Sequence, residues 1–116
     1  MWQLALAVFA IAVLGAIGHS QSIERRAMKR RRLEPGGVIP GAEAITFECN
    51  DAPGVLLLHG AGDTPQVLSA LARYLHDRGY AVHAPLLSGH GRALSAFAAV
   101  TSAGWHEDVA RAYADM

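Results

Sequence analysis

Two short glycine loops hold the residues whose types and spacing could do chemistry. The first, His59-Gly60-Ala61-Gly62-Asp63, follows the continuous apolar run Val55 to Leu58 and precedes a helix-like stretch. A buried strand that turns through glycines into a helix presents backbone N–H groups at the helix N-terminus, where they favour negative charge. Such a loop can cradle a phosphate or hold the oxyanion of a tetrahedral acyl-transfer intermediate. The second loop, Leu86 to Gly91, reads L-L-S-G-H-G and places a serine two residues before a histidine.

The phosphate reading asks for G-x-G-x-x-G with an acid about 20 residues on. The chain offers Gly60-x-Gly62-x-x-Pro65, so the third glycine is absent. The next strand closes on His83, Ala84 and Pro85, with no carboxylate to take a ribose hydroxyl, and no Gly-Lys-Ser/Thr follows the loop. A Rossmann-like nucleotide-binding protein is therefore the weakest reading, and the oxyanion reading leads.

The elements that must position these loops are legible in outline. Residues 42–49 place Glu43, Ile45, Phe47 and Cys49 on one parity and Ala44, Thr46 and Glu48 on the other, as a half-exposed strand does. Asn50 to Gly54 is a turn cluster. The run 55–58 is short enough for a strand buried on both faces. Thr64 then reads as an N-cap and Pro65 as the first helical residue. Val67, Leu68, Leu71, Ala72 and Leu75 mark one helix face, and Gly79 stops that helix. Tyr80 to Ala84 is the next strand. Residues 92–100 show no clear pattern. Thr101 or Ser102 caps a last helix with Trp105, Val109, Ala112 and Met116 on one side. The order is an α/β pattern containing one βαβ crossover over 55–84, right-handed in a parallel sheet.

Length and charge frame this core. The 116 residues permit one domain at most, since domains commonly run about 100–150 residues. Ten basic residues balance ten acidic ones, but unevenly. Arg25, Arg26, Lys29, Arg30, Arg31 and Arg32 cluster together, whereas residues 35–116 carry four positive and eight negative charges. A nucleic-acid partner is not expected: the folded part is acidic, and no aromatic residue interleaves the basic run to stack on bases. The single cysteine, Cys49, excludes an internal disulfide and a multi-cysteine metal site. No cofactor is implied.

Residues 1–23 carry no charge, and Trp2 to Gly18 include one polar side chain, Gln3. A membrane-spanning helix needs about 20 apolar residues. Three readings compete for this segment: an uncleaved anchor, a signal peptide and a buried core helix. The basic cluster directly after the run favours the anchor and places the soluble part in the cytoplasm. The signal-peptide reading, which would make the protein secreted or periplasmic, lacks a basic residue ahead of the apolar run. The domain expectation is a hydrophobic anchor or signal segment over 1–23, a basic flank with a Pro/Gly linker over 24–41, and a partial α/β domain over 42–116. The membrane partner is expected to be met through residues 1–23 and the basic flank, each cation contributing about 1 kcal/mol near anionic headgroups.

Several motifs occur together in family order. G-V-L-L-L-H-G-A-G-D-T-P (54–65) resembles the strand and oxyanion loop of α/β-hydrolases in the carboxylesterase and monoacylglycerol-lipase branch, which often read V-L-L-L-H-G-F-T-G-S-P. L-x-x-L-A-x-Y-L-x-D-R-G-Y-x-V-x-A-P (68–85) is similar to the family's following helix and strand, Ser88-Gly89-His90-Gly91 to its P-G-H-G turn, and Thr101, Trp105, Asp108 and Val109 to its T-x-x-x-W-x-x-D-V helix. The resemblance covers residues 42–116. It implies the N-terminal portion of an α/β-hydrolase sheet, which the apolar run at 1–23 precedes as a transmembrane or signal-anchor helix, and a serine hydrolase acting on small-molecule esters or lipid-like substrates. It also implies that the Ala61 N–H is one oxyanion donor, with Gly60 and His59 shaping the loop. Ala61 stands where the family often has Phe, which changes the acyl pocket and leaves the backbone donor in place.

The nucleophile elbow G-x-S-x-G occurs nowhere in the chain, and in this family nucleophile, acid and histidine follow in that order. The expectation is a fragment that is inactive alone, with no catalytic residue among its own. The rival is a non-catalytic membrane-tethered remnant or binding module. His59 then reads as a structural residue, His90 as a loop residue and not a base, Asp108 as a surface or first-turn carboxylate, and Cys49 as a small buried residue. His76, His83 and His106 have no i, i+4 partner, so a metal site is not expected.

Overall fold

A computed structural model describes residues 2–30 and 37–116. The expectations that fall on residues 31–36, including Arg31 and Arg32 of the basic cluster, lie outside the described residues. The chain divides into two compact units, Met1–Glu34 and Pro35–Met116.

Among the described residues the first unit contains one helix, α1 (Trp2–Arg30). At 1.5 Å per residue, its 29 residues extend about 43 Å, more than the roughly 30 Å of a bilayer's hydrocarbon. Its span Leu6–Arg30, which includes an 18-residue window of mean hydropathy 1.7, is long and apolar enough to cross a membrane. The same length and composition would serve a signal segment. Phe9, Ile11 and Leu14 are exposed, because a lone helix has no core of its own to receive them. Helical structure continues through Arg25 and Arg26 into the basic flank. Lys29 and Arg30 close the last turn, where cations complement the exposed carbonyls.

The second unit is a three-stranded mixed sheet with helices. It comprises β1 (Ile45–Phe47), β2 (Gly54–Leu56), a 3-10 turn (Pro65–Leu68), α2 (Ser69–His76), β3 (Ala81–Ala84), α3 (Leu94–Ala98) and α4 (Ser102–Ala114). The sheet order is β1-β3-β2. β3 pairs with β2 in parallel, Val55 facing Val82, and with β1 antiparallel, Thr46 facing His83. A parallel pair needs a long connection, and α2 supplies it, as the βαβ reading required. The strand at the centre is β3, with Val82 and Ala84 buried, and not the apolar run 55–58. β2 has one neighbouring strand among the described residues, and Leu58, just past it, is 45% exposed. An apolar run reports a demand for cover; strand order decides which strand receives it.

The helix expected from Pro65 onward forms in two pieces. Thr64 is extended and precedes Pro65, as a capping residue should, but its hydroxyl caps no helical N–H and donates to Gln66 Oε1 instead. Of the expected apolar face, the 3-10 turn and the narrow sheet leave Leu68, Ala72 and Leu75 facing inward. Val67 and Leu71, expected on the same face, are 61% and 46% exposed. Ala42, Ala72, Val82, Ala84, Leu87 and Ala112 form the buried apolar core, a set dominated by alanine. That composition lets helix and strand backbones approach closely. Residues 92–100, unpatterned in sequence, contain the short helix α3.

Candidate functional site

The two glycine loops meet at the edge of this core. His59 leaves the β2 end and is 5% exposed. Its Nε2 accepts the Leu87 N–H at 3.1 Å, and its Nδ1 lies 3.1 Å from the Gly60 carbonyl oxygen. The network assigns the neutral tautomer with the proton on Nδ1, since Nε2 must keep its lone pair for Leu87. Burial is the main reason the His59 pKa is lowered from its ordinary value. The neighbouring His90 pushes the same way, while the Gly60 carbonyl and Asp63 push against it. The structural reading of His59 agrees with this geometry: both ring nitrogens are committed to backbone.

Beyond His59 the loop is exposed. The Asp63 N–H donates to Gly60 O at 3.1 Å and closes a tight turn. Gly62 holds φ 82°, the sign that the third residue of a type II turn demands. Ala61 occupies the second position of that turn. No hydrogen bond among the described residues takes up its N–H. An unspent donor in an exposed turn rooted by a buried ring is a geometry suited to receiving an oxygen anion.

The Ser88–Gly91 turn is the opposite case. The His90 N–H donates to Leu87 O at 3.1 Å, and the His90 ring, 4% exposed, places Nδ1 3.2 Å from Ser88 O. The histidine therefore bonds the serine's main-chain oxygen, and no nucleophile–base pair forms here. The His90 ring meets His59 edge-on at 4.7 Å, Phe97 at 5.0 Å and Trp105 at 5.5 Å. Its Nε2 is buried without a partner among the described residues, at a cost of about 1–3 kcal/mol. Gly89, at φ 78°, lies so near α3 that a Cβ would come within 2.8 Å of Ala96 O and Phe97 Cα.

Helix α4 reaches the same turn. Asp108 Oδ2 accepts the Ser88 N–H at 2.7 Å, and Trp105 Nε1 donates to Ser88 O at 3.0 Å. The Asp108 side chain is 13% exposed and pairs with Arg111 at 3.7 Å. The surface reading of Asp108 is thus corrected: it holds main-chain structure. The sequence signal that could have found this is the i, i+3 spacing of Trp105 and Asp108, which puts both on one helix face. Thr101 caps α4 as expected, its hydroxyl accepting the Gly104 N–H at 3.3 Å. Cys49 is half-buried, with its Sγ 3.8 Å from Gly79 O.

No protein-family model matches the chain. A stretch of 48 residues is 52% identical to a carboxylesterase of Bacillus subtilis (strain 168), covering 40% of this chain and 19% of that enzyme. A solved structure from work on LipS and LipT, two metagenome-derived lipolytic enzymes, superposes with a TM-score of 0.61 at 37% identity. It covers 65% of this chain and 30% of the other. The chain thus spans less than a third of the length of either relative. Both comparisons agree with the family resemblance, and the chain is α/β-hydrolase-like, similar to part of a carboxylesterase and of a lipolytic enzyme.

Proposed function

We propose that this chain supplies the oxyanion loop of a serine hydrolase that acts on carboxylic esters or lipid-like acyl compounds. The single observation that carries the reading is the unspent Ala61 N–H, held in a turn whose root, His59, is buried and doubly bonded. Gly60 and His59 shape the loop, and Ala61 donates to the developing oxyanion. The 116 residues contain no G-x-S-x-G, so the reading assigns them the loop and not turnover. Within it, residues 1–23 and the basic flank of 24–41 tether the hydrolase-like residues 42–116 to a membrane, with the soluble part in the cytoplasm and no nucleic-acid partner.

The test is a chimera in which residues 54–85 replace the equivalent strand–loop–helix–strand of a carboxylesterase. Ester hydrolysis should persist. Ala61→Pro in the chimera should lower kcat by about 100- to 1,000-fold, the effect of losing one oxyanion donor. Proline suits the second position of such a turn, so the substitution removes the N–H with little strain. An unchanged kcat would refute the assignment. For the tether, protease added outside inverted or right-side-out vesicles should reach residues 42–116 from the cytoplasmic face alone; cleavage from the other face refutes that orientation.

A further inference from the structure

Helix α4 holds both main-chain polar groups of one residue, Ser88. Asp108 takes the N–H of Ser88 and Trp105 donates to its carbonyl oxygen. The same oxygen receives His90 Nδ1, so the turn and the His90 ring are locked to one point. From there the contacts run without a gap to the candidate oxyanion loop. The His90 ring abuts His59 at 4.7 Å, and the adjacent Leu87 N–H is spent on His59 Nε2. His59 in turn bonds Gly60 O, the same oxygen that closes the turn around Ala61.

We propose that Trp105 and Asp108 are positioning residues for the His59–Asp63 loop, acting through Ser88, Leu87 and His90 on the orientation and tautomer of the His59 ring. The loop needs such help. Its own residues 60–63 are exposed, and its one internal main-chain bond joins Asp63 to Gly60. A donor aimed at a developing charge is effective when its position is set beforehand. An exposed four-residue turn cannot set its own position, but a buried ring with both nitrogens bonded to main chain can. Asp108 suits the task because a carboxylate accepting an N–H makes a short, charge-assisted bond, and Arg111 restrains that carboxylate from the next turn. This inference rests on the oxyanion reading for its purpose, though not for its geometry.

The test uses the full chain, nitrogen-labelled, in detergent micelles above the ordinary histidine range, at about pH 7.5. Imidazole nitrogen spectra should show His59 as one tautomer, protonated on Nδ1. Asp108→Ala removes the acceptor. Trp105→Phe removes the donor and keeps a ring against His90. Both should mix the His59 tautomers and speed exchange of the Leu87 amide by about tenfold or more, the effect of losing one hydrogen bond that holds the turn. Asp108→Asn keeps an oxygen that accepts the Ser88 N–H and should restore the wild-type spectrum. Amides of β3 report whether the fold is intact, and if Asp108→Ala does not fold, Trp105→Phe decides alone. A single unshifted tautomer and a protected Leu87 amide in the folded variants overturn the proposal. Because the readout is the His59 ring, this result is separate from the kcat of the Ala61→Pro chimera, and either reading can fail without the other.

Discussion

The loops 59–63 and 88–91 are both glycine-rich and both leave the sheet region, yet they spend their polar groups in opposite ways. In the second, the Ser88 N–H, the Ser88 carbonyl and His90 Nδ1 are all engaged, and Gly89 and His90 are buried. In the first, Gly60 to Asp63 are exposed and the Ala61 N–H is unspent. The difference shows how a small fold makes a usable donor. A group cannot both satisfy the protein and await a ligand, so rigidity is placed in one loop and availability in the other. The His59 ring joins them.

Substitutions at the two glycines test that contrast most sharply. Gly89→Ala should cost about 2–5 kcal/mol, from a positive-φ penalty of roughly 1–2 and overpacking against α3 of roughly 1–3. A fall in the urea midpoint measures it. Gly62→Ala has the same sign of φ, but its Cβ would meet nothing within 4 Å, so the loss should stop at about 1–2 kcal/mol. Equal losses at the two positions would erase the distinction between a packed loop and an open one.

The smallest expected effect is on pH dependence. His59 has a lowered folded-state pKa, chiefly through burial, so the unfolded chain takes up the proton first as pH falls. Its stabilising contribution is fully present above the unfolded value of about 6.5 and is lost as pH falls through the lower folded value. Urea midpoints measured from pH 8 down to about 5 should decline in that window. His59→Gln should flatten the decline. A profile identical in both proteins would show that the junction between the loops does not titrate.

Much of this was legible in one dimension. The 2.0-residue alternation at 42–49 and the T-P start and glycine stop at 64–79 each correspond to an observed element, because local sterics and capping act over a few residues. The Thr101 cap held for the same reason. The inward face expected over 65–78 is wider than the structure gives: Val67 in the 3-10 turn and Leu71 in α2 are exposed, since the sheet is too narrow to cover them. Helix α3 escaped notice, since five residues are too few for a periodicity. Its Phe97 matters only because the fold sets it against His90.

Of the site, residue types marked out the glycine loop at 59–63, and the family resemblance picked out Ala61 with Gly60 and His59 within it: glycines after an apolar strand set a sharp turn and leave backbone donors exposed wherever that strand ends up. They also marked the long uncharged run before the basic cluster. The strand order that buries β3 and leaves Leu58 open was a tertiary decision, as was the conversion of Asp108 from an apparent surface charge to an anchor for Ser88. Those outcomes depend on contacts between residues 20 or more positions apart, such as Leu87 with His59 and Ser88 with Asp108. Chain closure sets such distances, and no local propensity encodes them.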